Sequence, residues 1–236
     1  MTKRKNLTAK TYQLILKQLL QRRMVAGQRL IFVDLARQFG VSRTPVQNAL
    51  SILERQGYVD LEPHKGYSVH AFSRQEIGDF VDLKQTMEEA FLPHIGKASA
   101  SQLQGILRAK TAFETAAMAK SYRLLSGLDL DFHLAIAAIF DNGPALAVYR
   151  EALQKLAIAA LGAEGDRPAA HLALREHSDI YEAIAINDLG RATWLAAKHL
   201  PLTIKAEIPL TRPSARRSRL QPPLSAVIVG SVPASS

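Results

Sequence analysis

Asp129, His133, His177 and His199 have the residue types and the spacing of a metal-ligand set. Asp129 and His133 are four residues apart, so on a helix they share one face. His177 and His199 flank a turn expected at Asn187 to Gly190, each about 11 residues from its centre. In an antiparallel helix pair, positions equidistant from the turn lie at the same height, here roughly 16 Å from it at ~1.5 Å per residue. The two imidazoles can therefore face each other, and a helix carrying Asp129 and His133 could close the group. Three imidazoles and one carboxylate suit a divalent transition metal, Zn²⁺ first, with Ni²⁺ and Mn²⁺ also compatible. Such a set leaves room for water or a chelating ligand. Asp131 projects from another side of the same helix, so no general base stands beside the group. His94 and His171 have no partner in the pattern, and surface positions are expected for both.

Helices must hold these residues. From Ser73 to about Leu202 the pattern is helical throughout, with helices expected at 74–97, 101–119, 121–140, 144–162, 169–187 and 190–206. Breaks fall at Gly96 to Ser101, Asn142-Gly143-Pro144, Gly165 to Pro168 and Asn187 to Gly190. Apolar faces on consecutive helices joined by short loops predict an antiparallel bundle.

The first part of the chain reads differently. Tyr12, Ile15, Leu16, Leu19 and Leu20 predict a helix from about Thr8 to Met24, stopped by Gly27. A second helix is expected over Val33 to Phe39 with Gly40 at its C-terminal end, and a third over Pro45 to Gln56. Tyr58 to Glu62 and Tyr67 to His70 then alternate as strands around the turn Pro63-His64-Lys65-Gly66. Three helices and a β-hairpin describe a winged helix-turn-helix. The fold expected is mainly α, with this head at 1–72, an all-helical effector-binding and dimerisation domain at 73–208, and a Pro/Ser/Arg-rich tail at 209–236. Within the tail, Ala226 to Val229 could form a short strand.

Gly40-Val41-Ser42 reads as the turn of the helix-turn-helix. Thr44 is the expected N-cap of the third helix, with Pro45 at its first position and Gln47 completing a capping box. A helix start of this kind presents unpaired N–H groups to a DNA backbone. Ser42 and Thr44 suit phosphate oxygens. Arg43 can contact guanine O6 and N7, and Gln47 could read adenine. Lys65, Gly66 and His64 would sit at the wing tip beside a minor groove.

Charge supports this division. The net charge is +9, and it is distributed as +9 over residues 1–75, −4 over 76–200 and +4 over 201–236. A basic head on an acidic body suggests that the head meets a polyanion. The chain lacks cysteine, which excludes disulfide and thiolate chemistry and suits a reducing compartment. No apolar run approaches the ~20 residues of a membrane span, and no apolar signal segment follows the basic start. A cytoplasmic, bacterial location is expected.

The run Leu35-Ala36, Gly40 to Val46, Ala49-Leu50, Leu53, Gly57, Gly66-Tyr67 and Val69 resembles the winged-helix domain of GntR-family regulators. Two departures stand in it: Gln47-Asn48 where that family usually has Arg-Glu, and Val33 where a polar or basic residue is frequent. Asp129-Leu130-Asp131-Phe132-His133, Glu176-His177 with Ala183-Ile184 and Asp188, and His199-Leu200 resemble the FCD effector domain of the FadR-type branch, as does Asn142 to Leu146. The resemblance covers about residues 8 to 205. It implies that Asp129, His133, His177 and His199 bind the metal and that small carboxylates, sugar acids among them, bind beside it. Lys84 stands where members often have Arg and would attract the effector, without the planar fork of a guanidinium.

The resulting expectation is a ligand-responsive regulator, a repressor by family habit, that reads a palindromic operator in double-stranded DNA as a homodimer. Two other readings stay open: a metal-dependent hydrolase using the His₃Asp group, and a constitutive DNA-binding protein with a structural metal.

Overall fold

The computed structural model describes residues 2–159 and 167–199. The chain order is α1 (Thr2–Leu20), β1 (Arg29–Leu30), α2 (Phe32–Phe39), α3 (Arg43–Arg55), β2 (Val59–Glu62), β3 (Gly66–Val69) and then α4 (Arg74–Phe91). After α4 come a 3₁₀ segment (Leu92–Lys97), α5 (Ala100–Met118), α6 (Tyr122–Ala137), a short 3₁₀ turn (Ala138–Phe140), α7 (Gly143–Ala159), α8 (Arg167–Ala185) and α9 (Leu189–Lys198). The architecture is the mainly α one expected, a winged helix-turn-helix followed by a helical bundle.

In the head, Ile15 and Leu19 of α1, Val46, Ala49, Leu50 and Leu53 of α3, and Tyr58, Val59 and Val69 of the sheet form one buried cluster. Each large apolar side chain removed from water this way contributes on the order of 1.5–3 kcal/mol. The sheet has the order β1-β3-β2, all antiparallel, with Asp60 opposite Ser68 and Arg29 also opposite Ser68 from the other side. The two-residue strand β1 is absent from the sequence expectation, because two residues carry no alternation to recognise. Gly40 ends α2 at φ 63°, ψ 37°, the left-handed conformation that a glycine adopts without penalty.

Several boundaries differ from expectation; the helix expected over 74–97, for one, is α-helical only to Phe91 and goes on as the 3₁₀ segment to Lys97. α1 ends at Leu20, four residues short of Met24, and Gly27 belongs instead to the turn leading into β1. α3 begins at Arg43, so Ser42 is the N-cap and Pro45 the third helical residue; the Thr44 cap and its box with Gln47 do not form. Pro45 tolerates this place because the first turn's N–H groups have no intrahelical acceptor. α9 stops at Lys198, and His199 turns into extended backbone at ψ 108°.

In the body, α4 starts with a capping box between Ser73 and Glu76, and α5 with one between Ser99 and Gln102. The continuation to 206, the strand at Ala226 to Val229 and the tail lie outside the described residues. Among the described residues, no helix is long and apolar enough to cross a membrane.

Candidate metal centre and nucleic-acid interface

α6 is buried on the side that carries Leu130, Phe132, His133 and Ile136, and this fixes Asp129 and His133 inside the bundle. α8 delivers His177 and the end of α9 delivers His199, whose backbone N–H still bonds to the carbonyls of Leu195 and Ala196. All four side chains are buried, and one donor atom from each lies within 4.8 Å of the others. His177 Nε2 and His199 Nε2 face each other at 3.3 Å. Asp129 Oδ1 lies 3.1 Å from His177 Nε2 and 3.5 Å from His199 Nε2.

Two side chains fix the His177 ring: Phe132 stacks on it at 4.2 Å between centroids, and Phe113 meets its edge at 4.6 Å. Carboxylates fix the other two rings. Glu176 accepts from His199 Nδ1 at 2.7 Å, and Glu88 Oε1 lies 2.9 Å from His133 Nδ1. Such partners leave the Nε2 of each ring turned into the group and raise its basicity. The sequence pattern drew attention to neither glutamate as an orienting group.

The protonation states fit a cation. Burial pushes His177 down to about 3 against the pull of Asp129, and burial, with the charge of Lys84 added, lowers His133. Both rings are neutral at pH 7, the ligating form. Burial would raise the Asp129 carboxyl, but the surrounding imidazoles outweigh it and hold it well below the usual range. Burial opposes ionisation of Glu88 too; Lys84 and His133 outweigh it and hold that carboxyl at about 2.

His133 Nε2 is buried without a hydrogen-bond partner among the described residues, and Asp129 Oδ1, though 3.1 Å from His177 Nε2, makes no well-formed hydrogen bond there. Orphaned buried polar atoms are costly. A divalent cation held by Asp129, His133, His177 and His199 satisfies both and matches the nitrogen and oxygen donor chemistry of zinc. Among the described residues His177 Nδ1 has no partner either, and no carboxylate meets it as one does on the other two rings.

Lys84, expected to attract the effector, is not free. It is wholly buried, pairs with Glu88 at 2.7 Å and donates to the backbone carbonyl of His199 at 3.1 Å. The cavity against Glu88, His133 and Tyr149 measures about 10 Å³, room for about one water. A larger depression of about 310 Å³ lies between α1 and α6, lined by Leu16, Leu20, Leu128 and Leu130, and none of the four donors reaches it. Of the other histidines, His171 is exposed, while His94 is half-buried and meets Phe140 edge-on at 4.6 Å, a contact the sequence did not suggest.

At the opposite end of the head, Ser42, Arg43, Thr44 and Gln47 are all exposed along the start of α3. His64 and Lys65 are exposed at the wing tip, with His64 at φ 62°, and Gly66 opens β3. Lys65 pairs with Glu62 at 2.7 Å, so a negative charge stands beside its ammonium. Arg29 of β1, absent from the sequence-based candidates, donates to the Lys65 carbonyl at 2.6 Å and braces the tip.

Residues 7–69 match the model of the bacterial regulatory proteins, gntR family, and residues 79–201 match that of the FCD domain. The chain is 24% identical over 133 residues to the Nta operon transcriptional regulator of Aminobacter aminovorans, covering 56% of this chain and 63% of that protein. It is 35% identical over 69 residues to the gluconate operon transcriptional repressor of Bacillus licheniformis, covering 29% and 28%. The matched stretches thus span less than two thirds of these curated relatives. Two solved structures share the fold. E. coli McbR/YncC has a TM-score of 0.74 at 17% identity, covering 85% of this chain and 94% of that one. A GntR transcriptional regulator from Rhodococcus sp. RHA1 has a TM-score of 0.71 at 18% identity, covering 80% and 90%. With a gntR-type head and an FCD domain following one another along its length, the chain belongs to the GntR family of bacterial regulatory proteins.

Proposed function

We propose that the chain is a metal-dependent, ligand-responsive repressor that binds a palindromic operator as a homodimer. The observation that carries the reading is the pairing of an exposed helix start, Ser42 to Gln47, with a buried group of three imidazoles and one carboxylate in the same chain. Arg43 reads a base, Ser42 and Thr44 hold phosphates, and the wing tip at His64, Lys65 and Gly66 borders the groove. Gln47, free of any capping role, is available to an adenine edge. Asp129, His133, His177 and His199 hold a divalent cation, Zn²⁺ first. When bound, the cation supplies a Lewis-acidic centre to which an oxygen ligand can attach.

A small carboxylate or sugar acid is the effector this reading implies. It reaches Lys84 only in exchange for Glu88, which already holds that ammonium. The closed geometry supports a second reading, a constitutive DNA-binding protein in which the metal is structural, because the space beside the donors fits about one water. The same closure weighs against a hydrolase, which needs room for substrate.

Operator binding measured with Zn²⁺, with chelator, and with Zn²⁺ plus a panel of small acids separates these. A change in affinity on adding an acid is expected for the ligand-responsive regulator. Equal affinity in every condition would leave the constitutive reading. Size-exclusion chromatography with light scattering checks the dimer.

A further inference from the structure

Helix α7 touches both functional regions. In its first half, Tyr149 is 1% exposed and donates its hydroxyl to Glu88 Oε1, on the carboxylate that also meets His133 and Lys84. Five and six residues further on, about 7.5 to 9 Å along the axis, α7 meets the head. Gln154 Oε1 accepts the Tyr58 hydroxyl at 2.8 Å. Lys155 Nζ lies 5.8 Å from the centroid of the Tyr58 ring and 5.2 Å from that of Phe80 on α4. Ile158 packs against the head's buried cluster.

Tyr58 is tied in turn to the DNA-reading helix. Its backbone N–H donates to the Leu53 carbonyl of α3 at 2.9 Å. Gln56, just past the end of α3, accepts the Tyr12 hydroxyl of α1 at 2.9 Å. One continuous helix therefore runs from the carboxylate behind His133 to the residue that anchors the end of α3.

We propose that α7 couples the metal group to the DNA-reading helix, with Tyr149 at its sensing end and the Gln154–Tyr58 hydrogen bond at its output end. The proposal rests on the regulator reading above. Glu88 is the element that can respond: it serves Lys84, His133 and Tyr149 with one carboxylate, and a cation on His133 Nε2 makes Nδ1–H a stronger donor to it, drawing it from the other two. Tyr149 has no other hydrogen-bond partner among the described residues, so a movement of Glu88 displaces the tyrosine. A helix is stiff along its axis, and the displacement arrives at Gln154, Lys155 and Tyr58. Tyr58 and Gln154 are thus positioning residues for DNA binding, not contacts to DNA or metal.

The test uses the full chain and a duplex that the protein itself selects from a random-sequence library. Its dissociation constant is measured with Zn²⁺ and with chelator. A ratio of about 5- to 150-fold is expected for the wild type. Tyr58→Phe and Gln154→Ala remove one hydrogen bond from opposite sides. Each should bring the ratio towards unity, and the double variant should add nothing further. Zn²⁺ affinity, read by competition with a chromophoric chelator, should stay at the wild-type value in all three. Wild-type ratios in both single variants overturn the α7 assignment and leave the regulator reading intact. A ratio of unity in the wild type overturns both.

Discussion

Glu88 and Glu176 hold the far nitrogens of two of the three imidazoles, and this makes them testable at single-residue resolution. Outer partners of this kind are worth roughly 10–100-fold in metal affinity. Glu176→Ala should weaken Zn²⁺ binding by about that factor, and His177→Ala, which removes a donor, should weaken it further in the same chelator competition. At the other end, Arg43→Ala should cost about 1–3 kcal/mol of operator affinity and relax one operator position. A uniform loss across all sequences would make Arg43 a phosphate contact. The four donors were legible because helix period and turn symmetry place them; their orienting partners were not. Glu176 adjoins His177 in sequence, so its side chain points to another face of α8, and nothing in the pattern shows that His199 comes back to meet it. Lys84 was singled out by the family resemblance as an effector-attracting cation; its burial and its pairing with Glu88 were not legible, because the pairing is an i, i+4 contact and such pairs usually form on solvated faces.

The join between the wing and α4 is an element-scale device. His70, at the end of β3, lies 2.8 Å from Asp60 of β2 through Nδ1 and 3.1 Å from Glu76 of α4 through Nε2. Burial would lower His70, but its two carboxylate partners outweigh it and raise it. A raised folded value means that the stabilisation is full below the unfolded value of about 6.5 and fades as pH rises through the folded value. The melting-temperature gap between wild type and His70→Gln should therefore be widest near pH 6 and narrow towards pH 9, by circular dichroism. Glu76 runs the other way. Its capping bonds to Ser73 hold it at about 2, so its contribution is present above about 4.5 and is lost as pH falls towards 2.

Gly40→Ala should cost about 1 kcal/mol. Nothing lies within 4 Å of an added Cβ, so that loss reflects the left-handed backbone alone. The Ser73 and Ser99 boxes carry a sequence signature, Ser-x-x-Glu or Ser-x-x-Gln, that places both helix starts. The start of α3 was harder, because Ser42 and Thr44 are both good caps and Pro45 is allowed throughout the first turn.

For the molecule as a whole, a cation taken up by four buried donors binds the native state and not the unfolded chain. Zn²⁺ at 100 times its dissociation constant should add about 2.7 kcal/mol, seen as a rise in melting temperature that EDTA reverses. No change would mean that the donors do not act together. The division into a basic head and an acidic body was legible from charge alone, whereas the way they dock was not. That docking depends on Lys155 lying against Tyr58 and Phe80, residues far apart in the chain.

The sequence contains a single tryptophan, Trp194, and it lies on α9, the ten-residue helix that ends at Lys198, just before His199. The residue is 56% exposed, with the Lys198 ammonium 3.6 Å from the ring centroid. His199, one of the four candidate metal donors, follows α9 directly. The indole therefore stands as an intrinsic optical probe beside the candidate metal group. Removing Zn²⁺ with a chelator should change its emission without any label, and the same fluorescence trace should time the loss of the metal in a stopped-flow mixer.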